Sequence, residues 1–316
     1  MKSSLYSRRM GSSSNRGSHV ILWAVGAGLG LWAPATLATG PGCPQGRAAL
    51  QAMLASEYAF ADRAQTSVRG AFLDYLAEDA LVLNPEPRSG RPIYQAAPDS
   101  KDKLEWYPST GDVAPSGDLG FTAGPWVYTS AAGTQSHGHF VSVWQRDSNC
   151  HWHVEFDGGV SHAAPRNPEP KLHQDLAPNV AVQLPPAKFL AADAPARTIE
   201  DFQVTAQTDG LASALRTYAR DQNFQFFADQ QFPAGAGAAT VEVSAHPVSG
   251  HWQEAARGRS VDSTVVYCVG EIMNGEGHAT HAYLEIWQYD AKVANWGLRV
   301  LLVNPLPVPV PGAPSK

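Results

Sequence analysis

The sequence predicts an α+β fold built twice in tandem. Three observations carry that prediction. Helical periodicity opens each run and strand-like material follows it; the pattern returns after a shift of 143 residues; and a proline-dense stretch separates the two runs. The chain has 316 residues, enough for about two ordinary domains.

The recurrence is specific. At the constant offset Glu57 falls on Glu200, Ala71 on Ala214, Phe72 on Leu215, Tyr75 on Tyr218, and Leu81 and Leu83 on Phe224 and Phe226. Far downstream, Phe140-Val141-Ser142-Val143-Trp144-Gln145-Arg146-Asp147 falls on Tyr283-Leu284-Glu285-Ile286-Trp287-Gln288-Tyr289-Asp290. Trp152 meets Trp296 with one residue of slip. These matches place one copy at 43–162 and the other at 188–305. Between them, 163–187 carries six prolines and reads as an extended linker, because proline blocks both helix and ladder. Residues 306–316 read as a proline-rich tail, solvated or in polyproline II.

Within the first copy, Leu50, Met53, Leu54, Tyr58 and Ala61 recur at helical spacing. After Gln65-Thr66-Ser67, a second helix shows Val68, Phe72, Tyr75 and Leu76 on one face, with Thr66 or Ser67 as its N-cap. Strands are expected at 80–83, 104–107, 118–121, 126–129, 137–145 and 151–156. Turn signals separate them at Pro85 to Arg91, Pro115-Ser116-Gly117 and Ala132-Gly133.

Residues 1–38 read as a secretory signal. Lys2, Arg8, Arg9 and Arg16 precede a 13-residue apolar run, Val20 to Trp32, and cleavage after Ala35 or Ala38 meets the small-residue rule. An uncleaved anchor is the alternative, although 13 residues fall short of the ~20 that span a bilayer. Cleavage would move the net charge from −6 to −10. The expectation is therefore a periplasmic or secreted protein with no membrane contact after cleavage. No nucleic-acid partner is expected, since phosphate binding needs clustered Lys and Arg. In an oxidising compartment Cys43 and Cys150 are the pair to join, with Cys268 a buried thiol in an apolar strand; three free thiols remain the alternative.

The order Glu57-Tyr58-Ala59-Phe60-Ala61, Ala71-Phe72-Leu73 and Glu78-Asp79-Ala80, extended by Gly90-Arg91, Gly120-Phe121-Thr122-Ala123-Gly124, Val143-Trp144 and Trp152-His153-Val154, resembles the nuclear transport factor 2-like superfamily, especially its SnoaL-like branch. The resemblance covers most of the first copy and, more faintly, the second. It implies two tandem cone-shaped domains, each with N-terminal helices packed on a curved antiparallel sheet and an apolar pocket at the open end. It also implies sheet-to-sheet pairing, as an intramolecular pseudo-dimer or a homodimer; the Phe140, Ser142, Trp144 face and the Tyr283, Glu285, Trp287 face would suit it. The superfamily holds isomerases, dehydratases, cyclases and epoxide hydrolases, so fold does not decide function. The Asp-Arg-Asp set of its epoxide hydrolases, the Tyr and two Asp of its steroid isomerases and the His-Asp pair of its dehydratases have no aligned counterparts here.

Five residues are candidates for acid–base work. Tyr58 lies on the first helix stripe, where a core aromatic with its hydroxyl at the rim competes with a hydroxyl facing the interior. Asp79 is expected to end the second helix, as a cap or a solvated group. Asp157 is expected to end the last strand before Gly158-Gly159, as a turn former or a base at a cone mouth. His139 and His153 belong to His137-Gly138-His139 and His151-Trp152-His153, which invite a metal. A turn centred on Ser148-Asn149 would set His153 opposite Trp144 and His139 opposite Gly158, roughly 17 Å apart at ~3.4 Å per residue. The two pairs cannot share one ion, which leaves only a two-His pair with an outside carboxylate as the alternative; no metal is expected, and no cofactor.

Three functions follow, the first preferred and the third ahead of the second. The first is an exported protein that binds a small apolar molecule in the first copy, or an accessory protein. The second is an isomerase- or lyase-type enzyme, which needs at least two of the five candidates in one cavity. The third is a structural or interaction module.

Overall fold

Apolar residues at helical spacing and their partners on the sheet settle the first half. The computed structural model describes residues 42–172, 194–219 and 223–307. The expected signal segment 1–38, linker residues 173–187 and tail residues 308–316 lie outside them.

Helix α1 (Gly46–Ala64) buries Ala49, Met53, Leu54, Glu57, Phe60, Ala61 and Ala64. Leu50 and Tyr58, expected on its stripe, lie on its half-buried flanks. Helix α2 (Val68–Tyr75) starts at Ser67, whose hydroxyl accepts from the Gly70 amide at 3.0 Å. The chain then gives β1 (Leu76–Leu83), β2 (Pro87–Ser89), α3 (Gly90–Ala96), β3 (Lys103–Trp106), β4 (Thr110–Val113), β5 (Leu119–Thr129), β6 (Gln135–Arg146) and β7 (Trp152–His162). The sheet runs β2-β1-β7-β6-β5-β3, with β4 also on β5.

Several expected boundaries move. The segments 118–121 and 126–129 are one strand, β5, running through Pro125. That proline lies between the residues paired with β4 and those paired with β3, where no outer ladder partner is required. The turn expected over Pro85 to Arg91 contains β2 and the start of α3. At Gly90 a Cβ would meet Leu76 and Val82 at 2.8 Å, so only glycine lets α3 begin this close to β1.

The second half holds α4 (Ala194–Thr208), α5 (Leu211–Tyr218), β8 (Gln225–Ala228), α6 (Ala236–Ala245), β9 (His251–Arg259), β10 (Val265–Met273), β11 (Ala279–Asp290) and β12 (Asn295–Pro305). Its sheet runs β8-β12-β11-β10-β9. In each half a strand after the helices pairs parallel to the last strand, and the remaining ladders are antiparallel except β1–β7 and β8–β12 themselves. The architecture is α+β, with two sheets, each carrying its helices on one face.

The opposite faces meet. Leu119, Phe121, Val141, Val143, Phe156 and Val160 of the first sheet share one buried cluster with Val265, Tyr267, Val269, Leu284, Ile286, Val300 and Leu302 of the second. The expected contact faces are inverted. Trp144 packs under α1, and Tyr283 and Trp287 pack under α4 and α5. Alternate residues Val141, Val143, Leu284 and Ile286 meet instead, because successive side chains on a strand point to opposite faces. Two turns finish the contact reciprocally. The Ser116 amide donates to Asp262 Oδ2 and the Val261 amide donates to Asp118 Oδ2, each at 2.8 Å.

Cys43 and Cys150 form a disulfide, with their Cα atoms 5.5 Å apart, and Cys268 is a buried thiol. Leu172 is hydrogen-bonded to Pro108 O at 2.8 Å, so the start of the connecting segment lies against the first half.

Candidate functional site

The first half contains a cavity of about 580 Å³ between its helices and its sheet. Phe72, Tyr94, Trp106, Trp126, Tyr128 and Phe140 give it an aromatic wall; Val82, Leu83, Ile93 and Leu104 add aliphatic surface. Helix α3 supplies Tyr94, whose ring stacks on Phe72 with centroids 4.1 Å apart. Arg91 fixes that helix by donating to Leu73 O at 2.9 Å and Leu76 O at 3.0 Å, and Arg69 by donating to Tyr94 O at 2.9 Å.

Asp157 brings a carboxyl into this wall. It lies within β7, opposite Ser142, and not at a strand end; β7 continues to His162. The Ser142 hydroxyl donates to Asp157 Oδ2 at 2.7 Å. Burial raises Asp157 from 3.8 to about 7, and the Glu57 charge adds to this, while the Ser142 bond opposes it. The Asp157 charge adds to the burial that pushes the Tyr94 hydroxyl upward. At neutral pH Asp157 can therefore both give and take a proton against an aromatic surface.

Behind the wall lies Glu57, fully buried. Trp106 Nε1 donates to its Oε1 at 2.6 Å, Trp144 Nε1 to its Oε2 at 2.9 Å, and the Thr122 hydroxyl to Oε2. Burial raises its pKa in spite of these three donors. Glu57 fixes the indole of Trp106, whose ring lines the cavity. A sequence signal existed: Met53, Glu57, Phe60 and Ala64 recur at helical spacing, and an acid inside an apolar stripe needs partners.

Of the five candidates only Asp157 lines the cavity. Tyr58 is half-buried and donates to Leu172 O at 3.0 Å, holding the connecting segment. Asp79 does not end a helix. Helix α2 stops at Tyr75, and Asp79 is exposed on β1. His153 is 3.5 Å from Asp147 at the β6–β7 hairpin end. His139 is buried on the other sheet face, toward the second half, 6.3 Å from the Phe227 ring. No two of the five therefore meet in this cavity.

The expected register also shifts. His139 pairs with Val160 and His153 with Gln145, and a bulge intervenes at Val143/Trp144. The hairpin turn is asymmetric, with Cys150 at φ 69° and its amide donating to Asp147 O. The wide separation of His139 and His153 along the ladder persists. Among the described residues no group of three His, Cys, Asp or Glu side chains is placed to hold a metal ion, and no helix is long and apolar enough to cross a membrane.

No protein-family profile matches this sequence, and no curated protein matches it. Solved structures match about a third of the chain. A conserved protein from Planctomyces limnophilus is 13% identical over 36% of this chain and 98% of its own, with a TM-score of 0.31. A nuclear transport factor 2-like protein of unknown function from Shewanella oneidensis is 11% identical over 35% and 98%, with a TM-score of 0.28. A Δ5-3-ketosteroid isomerase from a Mycobacterium species is 13% identical over 35% and 92%, with a TM-score of 0.29.

Proposed function

We propose that this chain is an exported protein made of two tandem cone-shaped copies of a SnoaL-like unit, 43–162 and 188–305, and that its first copy binds a small, ring-containing, largely apolar molecule. The two copies act as a pseudo-dimer within one chain. The cavity walled by six aromatic rings with a single carboxyl among them carries the reading. The matching order of elements in the two halves and the shared core between their sheets support the tandem arrangement. The basic, apolar and small-residue succession over 1–38 supports export.

Native mass spectrometry of protein purified without denaturant is expected to show a retained small molecule, and a neutral polycyclic aromatic probe is expected to quench Trp106 and Trp126. Ile93→Trp, which fills the cavity, should weaken probe binding at least tenfold. Unchanged binding in that variant would sink the reading. Sequencing of the mature N-terminus tests export, with cleavage expected after Ala35 or Ala38.

A second reading, acid–base catalysis of the isomerase or lyase type, is favoured by Asp157 at about pKa 7 beside Tyr94. It predicts that the protein exchanges an acidic C–H hydrogen of a bound cyclic ketone with deuterium from solvent. Asp157→Asn should abolish that exchange without weakening probe binding. Exchange that survives the substitution would exclude Asp157 as the base.

A further inference from the structure

On the far face of the first sheet, three side chains form an uninterrupted hydrogen-bonded row. His139 Nε2 is 2.7 Å from Glu169 Oε1, His139 Nδ1 is 2.6 Å from His162 Nε2, and His162 Nδ1 is 2.7 Å from Ala163 O. His139 is 2% exposed and His162 7%.

The hydrogens in this row can be counted. A carbonyl oxygen only accepts, so His162 Nδ1 carries a hydrogen. Glu169 is held below the ordinary carboxylate range, chiefly by its bond to His139, so it is ionised and His139 Nε2 also carries a hydrogen. If both rings were neutral, the two nitrogens at 2.6 Å would present lone pairs to each other. One more hydrogen must lie between them. The two imidazoles together then hold one positive charge, balanced by the Glu169 carboxylate.

Glu169 belongs to the segment that leaves β7, and this row is one of several ties. Tyr107 donates to Glu169 O at 3.0 Å, Tyr58 to Leu172 O at 3.0 Å, and the Leu172 amide to Pro108 O at 2.8 Å. The Lys171 ammonium is 4.9 Å from the Tyr107 ring centroid. Glu169 and Pro170 also wall a cavity of about 350 Å³ shared with Gln225, Phe227 and Pro233 of the second half.

We propose that the single proton shared by His139 and His162 is a binding site that fastens residues 163–172 against the first sheet, so that the segment is released when the proton is lost. The groups facing the site from each neighbouring element are few. His137 lies on the same strand as His139 and adds a repulsive effect on His162. Asp229, after β8, accepts from the Ser161 amide at 3.3 Å. Phe227 and Phe232 contribute apolar rings, the latter 4.3 Å from His162. Among the described residues Glu169 is the carboxylate that touches the row.

The sign follows from the count. The fastened form is the protonated one, so fastening is complete below the pH at which the shared proton leaves and is lost as pH rises through it. A further proton would set two N–H groups against each other and unfasten the row in acid. Burial holds His162 below its ordinary value, which lowers both this acid limit and the pH at which the shared proton leaves, while the Glu169 carboxylate opposes that effect.

Hydrogen exchange of the full mature chain between pH 5 and 9, corrected for intrinsic exchange, tests the proposal. The Leu172 amide is expected to lose at least tenfold protection on the alkaline side, while the Val143 amide, in the inter-sheet core, keeps its protection. His162→Phe and Glu169→Gln should each leave Leu172 poorly protected at every pH, with Val143 unchanged as the check that the sheet is intact. Leu172 protection that is flat with pH in the natural sequence overturns the proposal. So does a pH dependence that persists in His162→Phe.

Discussion

In the first half, the carboxylate beneath the strand tryptophan comes from a helix; in the second, it comes from the strand. Glu57 of α1 accepts from Trp144, whereas Glu285 of β11 accepts from Trp287 at 2.7 Å and from Gln203 of α4 at 3.1 Å. The place of Glu57 in α4 is taken by buried Ile199, while Glu200, its partner at the 143-residue offset, is exposed. The buried residues Ile199, Phe202 and Ala206 of α4 follow Glu57, Phe60 and Ala64 of α1 at an offset of 142. The indole N–H must have an acceptor in both halves, since an unpaired buried donor is costly. Which element supplies it is free, and that choice decides where a cavity fits. With Glu57 on the helix, the strand pair is Ser142 and Asp157, and Asp157 lines the cavity. In the second half Glu285 and Leu301 hold the corresponding pair, and Trp252, Tyr283 and Phe202 close the interior with ring centroids 4.6–5.7 Å apart.

The comparison can be broken most strongly at the acceptors themselves. Glu57→Ala leaves Trp106 and Thr122 without their acceptor and Trp144 with the Thr122 hydroxyl alone, and is expected to cost about 3–5 kcal/mol in urea unfolding, against about 2–3 for Glu285→Ala, which orphans two donors. Equal losses would refute the asymmetry. Next is the Cys43–Cys150 bond, which closes a 107-residue separation in the first half alone. Its reduction should cost about 2–4 kcal/mol and lower the unfolding temperature, with the far-UV and core-exchange changes confined to the first half.

A smaller effect is the pH dependence. Asp157 and Glu285 are both raised to about 7 in the fold, chiefly by burial. A carboxyl whose folded value lies above its unfolded one makes the native state bind the extra proton. Stability is therefore highest below about pH 4 and falls as pH rises toward about 7, by on the order of 2–3 kcal/mol for a buried group. Asp157 borders an open cavity, so Glu285→Gln should flatten the unfolding profile more than Asp157→Asn does. The smallest effect is expected at the reciprocal turns. Asp118→Ala unpairs the Val261 amide across the junction and should cost about 1 kcal/mol. Less than additive losses with Ser116→Pro, which removes the opposite donor, would mark the two bonds as coupled.

Much of the fold was legible because its signals are local. Helix-then-strand order follows from side-chain periodicity, and Ser67 follows from cap chemistry. The inter-sheet faces were not legible, because strands buried on both sides show no alternation: Val141, Ser142, Val143 and Trp144 are all buried. Asp157 could be singled out as a polar residue in a strand, but its partners depend on register, and register depended on the Cys150 turn and on a bulge that composition does not mark. Tyr94 was hidden in a stretch with turn residues at its start. Glu169 was hidden among prolines that indicate extension without indicating where an extended chain lies down.

The two sheets share a core and also share a chain. Sheets on separate polypeptides associate only to the extent that concentration allows, whereas tethered faces meet at an effective concentration in the millimolar range whatever the dilution. Self-association of identical subunits also requires one patch to suit its own rotated copy. Linked faces escape that requirement: the Phe227 ring lies 6.3 Å from the His139 ring, while the position 143 residues after His139 is Ala282, which has no ring to offer. The junction is thus free to become lopsided, and the paired His139 and His162 are an instance of what such freedom permits.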